Sequence, residues 1–329
     1  MSAPSGILSS GHLVPVLGFA TRNLFGENAD NAILTAIHSG CRHIDTSTMN
    51  ENEIDVGKSL QRIYRNENIK REDLFISSKY SPGHLNSNNV RSDVRKTLSN
   101  LKTDYLDLCL LQSASSIAAS KGLSHTQTID FAREYDYIRM WKELETLQRE
   151  GLIRSIGLCD FSEYQIDKIM TGTSVVPAIH QMEHSKIEEP HVRFCKYNNI
   201  VLAAYIPLRQ KTATTKSLYN DRSSVKEIAV KHGKTTTQII MRSYIQRGVV
   251  VVIESMRTAQ INCKFKIFDF VLDSTDMKML MTSSAGTKTR LRSTGGCSYA
   301  RLIDIIEDKP SMHHHRRWDV ERMYSEEEK

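Results

Sequence analysis

Asp45, Lys79 and Gln112 each stand at or just past the end of a strand-like run, in IDTSTMNENE, LFISSKY and LDLCLLQ. In an eight-stranded α/β barrel the C-terminal ends of the strands build the active site, so polar groups placed there read as chemistry. A buried carboxylate and ammonium persist only when paired. Asp45 and Lys79 are therefore expected together, either as a catalytic couple or as a structural ion pair in the barrel mouth. A carboxamide such as that of Gln112 offers hydrogen-bond donors and an acceptor but no usable acidity.

The elements that would position these groups alternate along the chain. Short apolar runs occur at Val14–Phe19, Arg42–Asp45, Leu74–Lys79, Tyr105–Leu111, Ile153–Cys159, Ala178–Met182, Val201–Ile206 and Val249–Ile253. Their near-continuous apolar character suits parallel strands buried on both faces. Helical spacing of apolar residues separates them, at Asn31–His38, Glu53–Ile63, Val90–Leu101, Tyr137–Arg149, Ser223–Lys231 and Thr237–Ile245. Several of these end just before a glycine, as helices commonly do. Alternating strands and helices predict an α/β fold, and eight repeats match a (β/α)8 TIM barrel.

Three stretches break the pattern. Ser113–Arg133 is a polar, small-residue insertion on the catalytic side, Arg209–Arg222 is a basic loop, and the chain loses periodicity from Ser283 onward. Long loops of this kind are functional lids or disordered. The expected organisation is a barrel over 1–282 and a C-terminal loop and polar tail over 283–329.

Hydrophobic residues make up 40% and charged residues 25%, an ordinary globular balance. A net charge of +6 fits an anionic small ligand and falls short of a nucleic-acid-binding signature. No secretory signal and no membrane-length apolar run is visible, so a cytoplasmic monomer is expected. The six cysteines form no CxxC pair and read as reduced, mostly buried thiols, Cys159 included. No GxGxxG turn, P-loop or HExxH is present, and His313–His315 read as solvated tail rather than metal ligands.

The ordered set HLVPVLGFAT, GCRHIDTSTMNENEIDVGKSL, REDLFISSK, LKTDYLDLCLLQ, GLIRSIGLCDFS, VPAIHQMEHS, VLAAYIPL and TTTQIIMRSYIQRGVVVVIESMRTAQINCKFKIFDF resembles the aldo-keto reductase superfamily over about residues 12–282. The resemblance implies a barrel capped by an N-terminal β-hairpin, and carbonyl reduction with NADP or NAD. In that family a Tyr hydroxyl protonates the substrate carbonyl, a Lys held by Asp eases loss of the proton, and a His orients the carbonyl. Asp45 and Lys79 match, whereas Asn50 fills the Tyr position and Gln112 the His position. Asn50 can polarise a carbonyl without protonating it. Tyr80 cannot stand in, because successive strand residues face opposite ways.

The resemblance also assigns Asp160 and Gln181 to the nicotinamide amide, with Cys159 where the family usually has Ser, and Tyr205 to the stacked aromatic ring. Thr21 and Leu208 complete that end of the cofactor set, while Ala20 adds a methyl where the family tends to have Gly. Glu254, Ser255, Gln260, Cys263 and Lys264 fill the positions around the adenosine phosphate, and Arg209 and Lys211 follow strand seven where family loops touch the pyrophosphate. A carboxylate at Glu254 repels a 2′-phosphate and can accept from a free ribose hydroxyl, which points either to NAD over NADP or to a site no longer used, with Arg257 and Lys264 as the cations that could restore phosphate affinity. Two functions remain open: a carbonyl reductase with weak or lost turnover, or an inactive relative acting as a dinucleotide-binding or protein-interaction module.

Overall fold

The apolar runs become the staves of a closed barrel. The computed structural model describes residues 4–81, 89–124, 136–207, 223–255 and 257–285. A hairpin of β1 (Ser5–Ile7) and β2 (Leu13–Pro15) comes first. Then follow β3 (Leu17–Ala20), β4 (His43–Asp45), β5 (Phe75–Tyr80), β6 (Leu106–Gln112), β7 (Ile153–Cys159), β8 (Ile179–Glu183), β9 (Val201–Ile206) and β10 (Val250–Glu254). Each pairs in parallel with the next, and β10 closes the ring against β3, with Val251 beside Leu17 and Glu254 beside Ala20. This is the expected (β/α)8 barrel with its hairpin cap.

The expected single strand Val14–Phe19 is in fact two. Val14 pairs antiparallel with Gly6 in the hairpin, whereas Leu17 pairs in parallel with Val251 in the barrel. Val16 is the hinge, its N–H donating to Pro4 O and its carbonyl accepting from Val251 N. The hairpin seals the floor: Leu8 and Val14 are buried with Phe75, Leu108, Val201 and Val250 of the barrel interior. Ser10 Oγ lies 2.7 Å from Ser155 Oγ there.

Helices α1 (Gly26–His38), α2 (Glu53–Asn66), α3 (Val90–Leu101), α4 (Ala114–Ser120), α5 (Tyr137–Arg149), α6 (Glu163–Gly172), α7 (Glu189–Tyr197), α8 (Ser223–His232), α9 (Thr236–Gln246), α10 (Thr258–Phe265) and α11 (Ser274–Ala285) flank the barrel. Five of them, α4, α6, α7, α10 and α11, lie where no helix was expected. The start of the Ser113–Arg133 insertion folds because Ser113 Oγ caps Ser116 N, and Ile117 and Ala118 are buried. Helix α11 continues to Ala285, past the expected loss of periodicity. Leu208, the basic loop to Arg222 and the tail from 286 lie outside the described residues.

Strand parity sorts the side chains. Residues such as Ile44, Ile76, Cys109, Ile156, Val251 and Ile253 pack outward under the helices, while Leu108, Leu110, Ile179, Ala203 and Val252 fill the interior. Near the floor, Asp107 ties three strands together. It accepts from Arg71 Nη2 at 2.7 Å, Arg154 Nη1 at 3.0 Å and Ile76 N at 2.9 Å. Both guanidiniums lie 3.9 Å from the Tyr105 ring centroid. No helix among the described residues is long and apolar enough to cross a membrane.

Candidate active site

Residues two apart on a strand share a face, so His43 and Asp45 on β4 and Ser77 and Lys79 on β5 project together into the barrel. The two strands are in register, His43 opposite Phe75 and Asp45 opposite Ser77. Lys79 Nζ donates to Asp45 Oδ2 and, at 3.3 Å, to Thr46 O. Ser77 Oγ donates to Asp45 Oδ1 at 2.7 Å, and His43 Nε2 lies 2.9 Å from Ser77 Oγ. Asp45 is buried and Lys79 reaches up from it, its side chain 12% exposed. Burial pushes the His43 pKa down to about 4, against the pull of Asp45, so its imidazole is neutral near pH 7. Gly18 makes room for it: a Cβ there would sit 2.7 Å from His43 Nδ1. His43 and Ser77 were not singled out in the sequence, although their spacing of two from Asp45 and Lys79 was the available signal.

Asn50 closes a single 3-10 turn, Thr48–Asn50, capped by Ser47 Oγ. Thr48 Oγ1 donates to Lys79 O at 3.2 Å, tying the turn to the end of β5. The Asn50 side chain is half-buried and makes no hydrogen bond among the described residues. Asn52, unnoticed in the sequence, donates to Thr21 O at 2.6 Å and Leu24 O at 2.7 Å. Thr21 is fully buried and bonds back to Asp45 O. It therefore supports the Asp45 segment. Tyr80 faces outward, buried in the helix layer. Among the described residues no tyrosine hydroxyl bonds the Lys79 ammonium.

Gln112 ends β6 and is clamped at both ends of its carboxamide. Ser81 Oγ donates to its Oε1 at 2.7 Å, and its Nε2 donates to Ser116 Oγ at 3.0 Å. Ser116, supplied by the unforeseen helix α4, passes the chain to Asp160 Oδ2 at 2.9 Å. Lys186 Nζ lies 3.5 Å from Asp160 Oδ1. Asp160 holds a left-handed backbone, φ 58°, at the end of β7, and its N–H donates to Gln181 O. Gln181 is buried on β8. Burial lifts the Cys159 thiol well above its ordinary range, with the Asp160 carboxylate adding to the rise, so it is an inert neighbour.

The structure joins Tyr205 and Glu254, which the sequence resemblance assigned to opposite ends of a dinucleotide. They lie on the adjacent strands β9 and β10, with Val252 opposite Tyr205. Tyr205 Oη donates to Glu254 Oε2 at 2.5 Å, and Asn23 Nδ2 donates to Oε1 at 3.3 Å. Burial first, then the Glu254 carboxylate, raises the Tyr205 pKa. The positive charge of Arg22 works against that rise. Neither Asn23 nor Arg22 was marked in the sequence, where nothing local signals them. Ser255 is buried, and Gln260 and Cys263 are exposed on α10.

Lys264 is different in kind. It is buried, and among the described residues its Nζ has no hydrogen-bond partner. Burial lowers its pKa to about 8, while Glu254 pulls the other way. A buried ammonium without a partner is costly, and an oxygen-rich ligand group would satisfy it. A dinucleotide's ribose and phosphate oxygens fit that need, and Gln181 and Asp160 offer donors and acceptors for a carboxamide. The residues present fit a nicotinamide dinucleotide. Among the described residues no group of three or more His, Cys, Asp or Glu could hold a metal ion.

A sequence model of the Aldo/keto reductase family matches residues 19–284. Aldose reductase B of Dictyostelium discoideum is 32% identical over 289 residues, covering 84% of this chain and 91% of that protein. The solved aldose reductase from Schistosoma japonicum superposes with a TM-score of 0.72 at 29% identity, covering 86% of this chain and 92% of that one. The Bombyx mori aldo-keto reductase, solved in complex with NADP, shares the fold with a TM-score of 0.71 at 23% identity, covering 86% and 93%.

Proposed function

Because the chain belongs to the aldo/keto reductase family, we propose that it reduces the carbonyl of a small molecule using a nicotinamide dinucleotide, with slow turnover. The observation that carries this reading is the Lys79–Asp45 couple, retained at the mouth with its Ser77 support. The dinucleotide, when bound, supplies the hydride. Gln181 and Asp160 would hold its carboxamide, the Tyr205 ring would line that end of the site, and Lys264 would take ribose or phosphate oxygens. Gln112, fixed between Ser81 and Ser116, orients the substrate carbonyl. Slow turnover follows from Asn50, since a positioned general acid typically contributes about 10²–10⁴-fold.

Glu254 sets the cofactor preference. Its carboxylate offsets the Lys264 ammonium, and a near-neutral pair suits a ribose hydroxyl better than a 2′-phosphate dianion. NADH is therefore the favoured partner. Titration of the purified protein with NADH and NADPH, followed by cofactor fluorescence, tests this directly. Binding of NADH at least about tenfold tighter is expected, and Glu254→Gln should narrow the gap. Absence of binding by either dinucleotide would eliminate the reductase. The second reading, a module that binds a dinucleotide without turnover, is favoured by Asn50 and Gln112, and predicts binding with no oxidation of NADH by any test aldehyde.

A further inference from the structure

With the phenol gone, the proton that carbonyl reduction requires needs another source. We infer that Lys79 is itself the acid, giving a proton from Nζ directly to the substrate oxygen; this rests on the reductase reading above. An ammonium has three N–H donors. Two are taken, by Asp45 Oδ2 and Thr46 O, which leaves one among the described residues, on a side chain that opens to the mouth above a buried carboxylate. As reference classes an ammonium and a phenol are comparable acids, but the Asp45 carboxylate bonded to Lys79 favours the ammonium, so transfer from it is slow, in keeping with slow turnover.

The other candidates at the mouth are disqualified by their surroundings. The Tyr205 hydroxyl is committed to Glu254 and is made a poorer acid by burial and that carboxylate. His43 is neutral and lies below Asp45, behind Ser77. The Cys159 thiol is pushed up by burial. Asn50 and Gln112 are carboxamides, whose N–H groups donate hydrogen bonds but have no usable acidity. Lys186, paired with Asp160, has a side chain 56% exposed to solvent.

The step balances as follows. The Nζ–H bond of Lys79 breaks as an O–H bond forms on the former carbonyl oxygen, while the carbonyl carbon gains a hydride from the reduced nicotinamide, which is oxidised by two electrons. Lys79 is left as a neutral amine beside Asp45 and takes a proton from water, releasing hydroxide. Asn50, on the turn that Thr48 ties to Lys79 O, hydrogen-bonds the same oxygen without changing protonation.

Lys79→Arg separates an acid from a mere charge. Guanidinium keeps the positive charge and the bond to Asp45 but does not deprotonate in proteins. With bound NADH and an aldehyde, kcat should fall at least about 100-fold, with cofactor affinity unchanged. Activity within about threefold of the parent would overturn the proposal. Lys79→Met should lose as much; because it strands Asp45, it is paired with Asp45→Asn. A second readout needs no cofactor. The Nζ signal of Lys79 in ¹⁵N-lysine spectra, assigned by its loss in Lys79→Arg, should shift when acetophenone is added. An unmoved signal overturns the contact. If neither dinucleotide binds, the reductase reading fails, and the acetophenone shift alone then decides whether Lys79 engages a carbonyl.

Discussion

Position 50 presents a carboxamide to the mouth on a turn already fixed to β5 by Thr48. The support for a phenol is thus still in place: Lys79, Asp45 and Ser77 are hydrogen-bonded in series. Asn50→Tyr should therefore raise kcat for aldehyde reduction, by at least about tenfold given the usual size of general acid catalysis. Gln112→His should add to this, because an imidazole's two nitrogens can replace the carboxamide between Ser81 and Ser116. Stopped-flow measurement of NADH oxidation distinguishes the two; no gain in the double variant would show that a tyrosine at this turn does not reach the carbonyl. At the same scale, Asp45, Lys79 and Gln112 could be marked from the chain alone, since each stands at or just past the end of a strand-like run, whereas Asn50 was marked only by the family resemblance. Ser116 and Asn23 could not be marked: each reaches its partner across the mouth, and no local spacing encodes that contact.

Helices α2 and α3 meet at Gly57. A Cβ there would lie 2.1 Å from Asn100 O and 2.9 Å from Leu101, backbone that cannot swing aside. Gly57→Ala gains about 1 kcal/mol of helix propensity, but forcing the helices apart costs about 1–3 kcal/mol. The clash should win, and the urea midpoint should fall; a rise would mean that the pair separates freely. The strands were legible because burial on both faces makes apolar runs. The unforeseen helices have weaker marks. In α6 the capping box of Ser162 and Gln165 was a usable signal, as was the Pro at the first turn of α7. Helix α4 has only the Ser113 cap and the buried Ala114, Ile117 and Ala118 to anchor it, marks too slight to stand out in a polar stretch. The break at Val16 was hidden because Val14 and Leu17 are equally apolar, and only their partners differ.

Across the whole molecule, acid should weaken the fold through two buried imidazoles. His43 sits inside the barrel and His180 lies fully buried, with neither ring nitrogen hydrogen-bonded among the described residues, beside His191 at 6.2 Å between centroids. Burial lowers their pKa values from 6.5 to about 4 and about 3. The unfolded chain therefore binds protons that the folded one refuses, so stability is complete above about 6.5 and declines as pH falls towards 4. The thermal midpoint should drop between about pH 7 and about pH 5, and His180→Leu should flatten that slope. An unchanged slope would place the acid sensitivity elsewhere. The hairpin has a consequence of its own. Because Leu8, Val14 and Ser10 stopper the end of the barrel remote from Lys79, traffic is confined to one rim, and whatever comes in must leave the same way. A protein tethered to a sensor surface through its amino-terminal side turns that rim to the bulk. Binding curves from tethered and free samples should then coincide.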